Sequence, residues 1–421
     1  MSFIYHVLRA IFVRVSLAAK ALSLRAAYAK DLQDIRRRIK GRKVRVIFPV
    51  CEISKWKLQS VYDLMNQSGK FEPIIALTLA DFAWRLTTDE QDNKLIELHK
   101  FFEEKNMQTV MAFNVQTRRA IDFNQFSPDI VFYNQPWDYA EIQMPRSVAF
   151  HALTCYVPYF VVNYGHVGLD VMCEFHRELW RHFLVTKMWA RRYARHARFW
   201  THAGKLIGSG HPQLDYYILH KDQFETTNMV IYAPHWSISS ENYDTFENYS
   251  TFLQLGRFIL EYAKQHSEFN WVFKPHPSLK IALRESGEWT DVRIDEYWAE
   301  WEKIGTGCYT SDYPALFVKS KALITDCGSF LTEYFATGKP LIHLISKNRK
   351  IEPAPPAKVY FDTFYQVRNI SELISVLSRV VEHGDDYRKE ERLAMLEKIG
   401  LQGNYAARNI VDTISAELKI I

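Results

Sequence analysis

A cation and a histidine stand between two prolines in Phe273-Lys274-Pro275-His276-Pro277, directly after Asn270-Trp271-Val272-Phe273, a run that reads as a β-strand. Imidazole is the side chain best suited to donate to a phosphoryl oxygen or to move a proton near neutral pH. The carboxyl end of a strand is also where open α/β sheets bind their ligands. The competing account is a stiff turn that carries polar residues for structure alone. A second segment, Leu323-Ile324-Thr325-Asp326-Cys327-Gly328-Ser329-Phe330-Leu331-Thr332-Glu333, is followed by Gly338-Lys339-Pro340. It predicts a strand that ends in small polar residues, Thr325, Asp326 and Gly328 among them, and opens a helix. Backbone N–H groups and the Ser329 hydroxyl then converge where a helix N-terminus holds a diphosphate. Glu333, one turn further on, is placed to accept hydrogen bonds from the hydroxyls of a ribose or small polyol. Simple helix capping by Asp326 and Ser329 fits the same pattern. A third segment, Ile231-Tyr232-Ala233-Pro234-His235-Trp236-Ser237, closes another strand and brings His235 toward the same place, although a histidine beside tryptophan is as often structural.

These residues need a scaffold of strands whose carboxyl ends share one edge. Short apolar runs alternate with helical patterns throughout: strands Val44–Val50, Pro73–Leu77, Thr109–Phe113, Asp129–Tyr133 and Pro158–Val162, with helices over Ser54–Gln67 and Glu90–Glu104. Buried-type strands alternating with helices predict a parallel sheet covered on both faces. A long helical stretch, Glu174–Trp200, follows, and then Gly204, Gly208, Gly210 and Pro212 punctuate a boundary. A second series runs through Met229–Ala233, helix Tyr249–His266, strands Asn270–Phe273 and Ala322–Thr325, helix Phe330–Thr337 and strand Leu341–Leu344. An Asn369-x-x-Glu372 capping box opens the terminal helical region. The expected organisation is a basic helical segment at 1–42, an α/β domain at 43–222 and a second α/β domain at 223–421.

The 421 residues carry 53 Lys and Arg against 48 Asp and Glu, a net charge of +5. That is too little to argue for nucleic acid, and it favours an anionic substrate or membrane surface where the charge is clustered. With 48% hydrophobic and 24% charged residues the composition excludes a disordered chain and a disulfide-stapled miniprotein. Five widely spaced cysteines, with no CxxC pair, indicate neither a disulfide framework nor a zinc site and suit the cytoplasm. Before the first acid, Asp31, the cations Arg9, Arg14, Lys20 and Arg25 fall within about 160° of helical arc. Ile4, Leu8, Ile11, Phe12, Val15, Ala19 and Leu22 gather opposite. This is either an amphipathic helix on the inner, anionic face of the cell membrane or a helix docked on the protein's own body. Arg177, Arg181, Lys187, Arg191, Arg192, Arg195 and Arg198, interleaved with Trp180, Trp189 and Trp200, predict a solvated helix face or a track for a polyanion or lipid headgroups.

The three chemical segments, in this order, resemble the CDP-glycerol glycerophosphotransferase family, the teichoic-acid and capsule polymerases of the glycosyltransferase-B (GT-B) architecture. The resemblance covers about Met229 to Leu344, and Glu52-x-Ser54-Lys55-Trp56, the stretch from Pro128 to Trp137, Tyr156-Val157-Pro158-Tyr159 and Gly210-x-Pro212-x-x-Asp215 echo the N-terminal half of Gram-negative capsule members. It implies two Rossmann-like domains facing across a cleft, with His276 and Ser329 on the donor's phosphates and Glu333 on its hydroxyls. Lys274, His235, Thr325, Asp326 and Gly328 join them as substrate-binding positions. Family members commonly have Tyr-Ser where this chain has Cys327-Gly328, and Thr and Arg where it has His235 and Ser237, so one phosphate-binding cation is missing or supplied elsewhere. The family's Trp-His-Gly segment finds only Tyr164-Gly165-His166, which makes His166 the acceptor's base, with His151 as competitor.

The expected activity is transfer of a polyol phosphate from CDP-glycerol or CDP-ribitol to a hydroxyl of a polymer or lipid-linked glycan, with release of CMP. No tightly bound cofactor and no metal motif is read, and a divalent ion bridging the diphosphate is left open. The alternatives are a sugar-nucleotide glycosyltransferase on the same architecture and a catalytically silent, membrane-bound assembly subunit.

Overall fold

The computed structural model describes residues 2–161, 163–164, 174–197, 203–220, 223–304, 313–401 and 405–420. They fall into two units. The first comprises Met1–Phe160, His166–Asp215 and Asn404–Ile421, and the second Val161–Gly165 and Tyr216–Gly403.

The first unit is built on seven parallel strands: β1 (Val44–Val50), β2 (Phe71–Leu77), β3 (Thr109–Met111), β4 (Ile130–Tyr133), β5 (Leu153–Tyr156), β6 (Arg181–Leu184) and β7 (Leu206–Gly208). Their order is β3-β2-β1-β4-β5-β6-β7. The run of β1 is apolar because both its faces are covered. Val46, Phe48 and Val50 pack with Phe132 and Phe183, whereas Ile47 packs with Val131, Tyr133 and Tyr156 on the other side. The order reverses direction between β1 and β4, which makes the loops after those two strands the natural ligand crevice of this sheet.

The first helix spans Ser2–Arg38. Tyr28 and Ile35, with Ile39 just beyond its end, join the core of the unit. Arg38, Arg42 and the Arg45 amide surround the fully buried Asp129 carboxylate at 2.7–2.9 Å, so part of the basic stretch clamps the helix end to β4. On the face read as apolar, Val15 and Leu22 stay 62% and 66% exposed. Among the described residues no helix is long and apolar enough to cross a membrane.

The chain closes with helix Ala406–Leu418 in the first unit, not with the second series, which departs from a single domain over 223–421. Asp215 explains the return: its carboxylate accepts from the Ala406 and Ala407 amides at 2.7 and 2.8 Å. Gly210, at φ +91°, lets the chain pass so close that a Cβ would stand 2.9 Å from that of Ala406. The Gly210-x-Pro212-x-x-Asp215 motif is thus a clasp.

The expected helix Glu174–Trp200 is two short helices, Glu174–Glu178 and Lys187–Ala197, with β6 between them. Trp180, Phe183 and Leu184 are buried against the sheet, and that burial outweighs the helical spacing of the charges. Arg181 stacks on Trp180 at 4.3 Å and pairs with Glu417, apart from Lys187, Arg191 and Arg195, which are exposed at i, i+4 and i+8 of the second helix. Trp189 is buried, and Arg198 and Trp200 lie outside the described residues. Likewise the strand read at Pro158–Val162 is instead β5, with Pro158–Phe160 in the loop after it.

The second unit holds β8 (Met229–Ala233), β9 (Asn270–Phe273), β10 (Ala322–Thr325), β11 (Leu341–Leu344) and β12 (Tyr365–Val367), all parallel, in the order β9-β8-β10-β11-β12. Its strand order reverses between β8 and β10. The three chemical segments leave the carboxyl ends of β8, β9 and β10, the position where such sheets bind ligands.

Candidate functional site

Asp326 organises the second unit's strand-end cluster. It is buried, and its carboxylate accepts from the His235 amide at 2.6 Å and from the Thr251 amide and hydroxyl at 2.6 and 2.8 Å. Burial pushes its pKa up to about 6 against the pull of these donors. Thr325 donates to the Ala233 carbonyl at 2.6 Å and receives the Cys327 amide at 3.0 Å. Thr325 and Asp326, expected among the substrate-binding positions, join the turns after β8 and β10.

That joining brings two histidines together. The His235 and His276 rings lie 5.4 Å apart, centre to centre. In each, Nδ1 accepts the amide two residues downstream, that of Ser237 at 3.2 Å and that of Ser278 at 3.1 Å. The Ser237 hydroxyl lies a further 2.8 Å from the His235 Nδ1. With Nδ1 an acceptor, the ring proton sits on Nε2, and both imidazoles present N–H donors. Burial, reinforced by the neighbouring His276, draws His235 down to about 3, and burial together with the Lys274 charge draws His276 to about 4. Both are therefore neutral donors near pH 7, a state suited to phosphoryl oxygens and unsuited to taking a proton at Nε2.

The helix Gly328–Phe335 starts at the same edge with Cys327 as its N-cap, and no side chain caps it. Its first-turn amides point out of the N-terminus, beside a partly exposed Ser329 whose Oγ is 3.5 Å from the Cys327 Sγ. Gly328 is required by its neighbour, since a Cβ there would meet Cε2 of Tyr164 at 2.7 Å. Tyr164 stacks on Tyr249 at 4.4 Å, and Asn163 beside it donates to the Gly328 carbonyl and accepts from Thr332 and Tyr360 at 2.6 Å. Tyr164 thus occupies the space that a side chain at position 328 would need.

Lys274 and Glu333 are both buried. The Lys274 ammonium sits over Tyr313 and Phe330, 4.8 and 5.5 Å from the ring centres. Glu333 accepts from the Tyr313 and Tyr217 hydroxyls at 2.8 and 3.2 Å. Tyr313 and Tyr217 belong to none of the motifs, and tertiary folding brings both to Glu333.

A second feature beyond the motifs is Arg349, in the loop after β11. Its Nη2 pairs with Glu352 at 2.6 Å, and its buried Nε has no hydrogen-bond partner among the described residues. Its charge favours the ionised phenols of Tyr164 and Tyr249, although burial dominates and raises both pKa values. The next residue donates its amide to the Glu247 carbonyl at 3.2 Å, which ties this loop to the segment following His235. Arg349 is thus a cation whose charge reaches Tyr164 and Tyr249, and the Tyr249 ring lies 5.6 Å from that of His235.

His166 lies outside the described residues. His151 occupies the turn before β5, at the amino edge of the first unit's sheet, the wrong edge for a residue acting at strand carboxyl ends. Among the described residues no cluster of three or more His, Cys, Asp and Glu is arranged to hold a metal.

Among solved structures, the wall teichoic acid polymerase TagF is similar at 12% identity over 97% of each chain, with a TM-score of 0.52. The UDP-GlcNAc 2-epimerase of Methanocaldococcus jannaschii is similar at 13% identity over 89% of this chain and 99% of its own, with a TM-score of 0.52. A glycosyltransferase from Rickettsia africae matches at 12% identity over 90% and 99%, with a TM-score of 0.50. At such identities the likeness shows the fold, that of the GT-B type. No curated protein sequence matches the chain. Residues 174–416, more than half of the chain, match the CDP-glycerol:poly(glycerophosphate) glycerophosphotransferases, and the chain belongs to that family of transferases.

Proposed function

We propose that this transferase moves glycerol phosphate from CDP-glycerol to a hydroxyl of a polymer or lipid-linked glycan. The observation that carries the reading is the pair of Nε2–H donors on His235 and His276 beside the uncapped start of helix Gly328–Phe335. The acceptor oxygen attacks the phosphorus that bears glycerol. The bond from that phosphorus to the bridging oxygen breaks, CMP leaves with the electron pair, and a phosphodiester remains. The attacking hydroxyl's proton goes to His166, a role that rests on sequence resemblance alone. His235, His276, Ser329 and the helix amides bear the charge gathering on the phosphoryl oxygens, and Arg349 adds a cation. Lys274, Thr325, Asp326, Gly328 and Glu333 hold this arrangement, with Glu333 and Lys274 bordering the donor's polyol. Phosphorus NMR of the product tests the reading: a new phosphodiester resonance together with CMP supports it, whereas a glycosidic product without phosphorus contradicts it.

The same proposal places the enzyme on an anionic membrane surface through its first helix. Exposed Val15 and Leu22 and the cations before Asp31 support this. Binding to anionic vesicles should weaken with salt and on deletion of residues 1–30. Equal co-sedimentation of the truncated and full chains would make the helix purely structural.

A further inference from the structure

The first unit carries a second cluster, at the carboxyl ends of β1 and β4, where its own strand order reverses. Lys55 pairs with Asp138 at 3.1 Å and with Glu52 at 3.4 Å, and Lys94 reaches Glu52 at 3.9 Å. Beside these charges Trp137, 42% exposed, lies nearly parallel to Phe160, with ring centres 6.3 Å apart. Tyr159 sets its edge against both, and the Lys55 ammonium lies 5.6 Å from its ring centre.

The backbone is built to hold this shape. Asp138 takes φ +69°, a left-handed conformation that Asp and Asn adopt more readily than other residues with a side chain. Here its carbonyl accepts from the Asp81 amide at 3.0 Å, and the buried Gln135 amide donates to the Trp137 carbonyl at 2.8 Å. Buried Asn134 links the two loops, donating to the Lys55 carbonyl at 2.9 Å while its own carbonyl accepts the Tyr159 amide at 2.8 Å. Trp137 stands at the open end of this network, with its indole packed on Tyr159 and Phe160 and 42% exposed.

We propose that this cluster binds an uncharged pyranose ring, the terminal sugar of the acceptor. The inference rests on the transferase reading for the word acceptor, but the site stands on its own geometry. The apolar C–H face of a sugar lies against Trp137 and Phe160, and its hydroxyls meet carboxylate acceptors and ammonium donors at the rim. The two carboxylates and two ammoniums of the cluster cancel. An oligo(glycerol phosphate), with a charge on every repeat, finds no excess positive charge to receive it there.

The full-length chain is presented with an array of neutral oligosaccharides, acidic oligosaccharides and an oligo(glycerol phosphate) of matched length. Retention of neutral, pyranose-terminated members is expected. Trp137→Ala should weaken it at least about tenfold, while Trp137→Phe stays within about threefold of the parent. Asp138→Asn, which tolerates the left-handed backbone, should weaken binding without disturbing the fold. Preference for the phosphate polymer, retention of no neutral saccharide, or unaltered binding by Trp137→Ala would each overturn the proposal. CMP affinity measured on the same preparations reports the donor unit separately, so its absence would count against the transferase reading and not against the sugar site.

Discussion

The rings of His235 and His276 stand 5.4 Å apart, and each is locked through Nδ1 by the backbone amide two residues further along. Two loops that leave different strands thus set the same tautomer side by side. A diphosphate needs such donors where charge develops, and the helix start at Gly328 adds the amides.

Replacing His276 by alanine should lower kcat/KM at least about tenfold, a loss of ~1.4 kcal/mol in transition-state stabilisation, with the thermal midpoint nearly unchanged. Steady-state kinetics beside a melting curve checks this. Full activity in both His276→Ala and His235→Ala would remove the pair from the site.

Gly328→Ala should destabilise the second unit by ~1–3 kcal/mol, because the new methyl meets the Tyr164 ring at 2.7 Å. Combining it with Tyr164→Ala should recover part of that loss, a coupling that denaturant unfolding of the four variants measures. Purely additive losses would mean that the ring yields freely.

Acid sensitivity should follow buried histidine. His343, packed against Phe361 and Phe364, is drawn down to about 3 by burial and then by the charges of Arg349 and Arg368. Its unfolded value is 6.5. The stability linked to it is complete above that pH and is lost as pH falls toward the folded value, at up to ~1.4 kcal/mol per pH unit. Asp326 and Asp215, raised to about 6 by burial, act in the opposite sense, losing stability as pH rises from their unfolded value of 3.8 through about 6. Comparing His343→Phe with the parent isolates the histidine: the difference in melting temperature between pH 7.5 and pH 5 should shrink, and an unchanged difference would contradict the assignment.

The strands behind the site were legible because Val230, Ile231, Leu323 and Ile324 are apolar on both faces, the pattern of a parallel sheet. His276 and Ser329 were legible because turn residues follow those strands at once. Strand β6 was hidden, since the charges around Trp180 and Phe183 keep a helical spacing that burial overrides. The roles of Asp326 and Thr325 were hidden for another reason. Their types fit phosphate binding and helix capping alike, and neither reading anticipates the partners that the fold supplies, Thr251 and the His235 amide for Asp326 and the Ala233 carbonyl for Thr325. Tyr164 and Arg349 reach the cluster through long-range packing that no local pattern records.

Acceptor-dependent nucleotide release is the most direct measurement of the central claim. The full-length chain, given CDP-glycerol and a hydroxyl-bearing glycan acceptor, should release CMP, and release should fall at least about tenfold in His276→Ala. Release of UDP from a UDP-sugar under the same conditions, with no CMP from CDP-glycerol, would contradict the account.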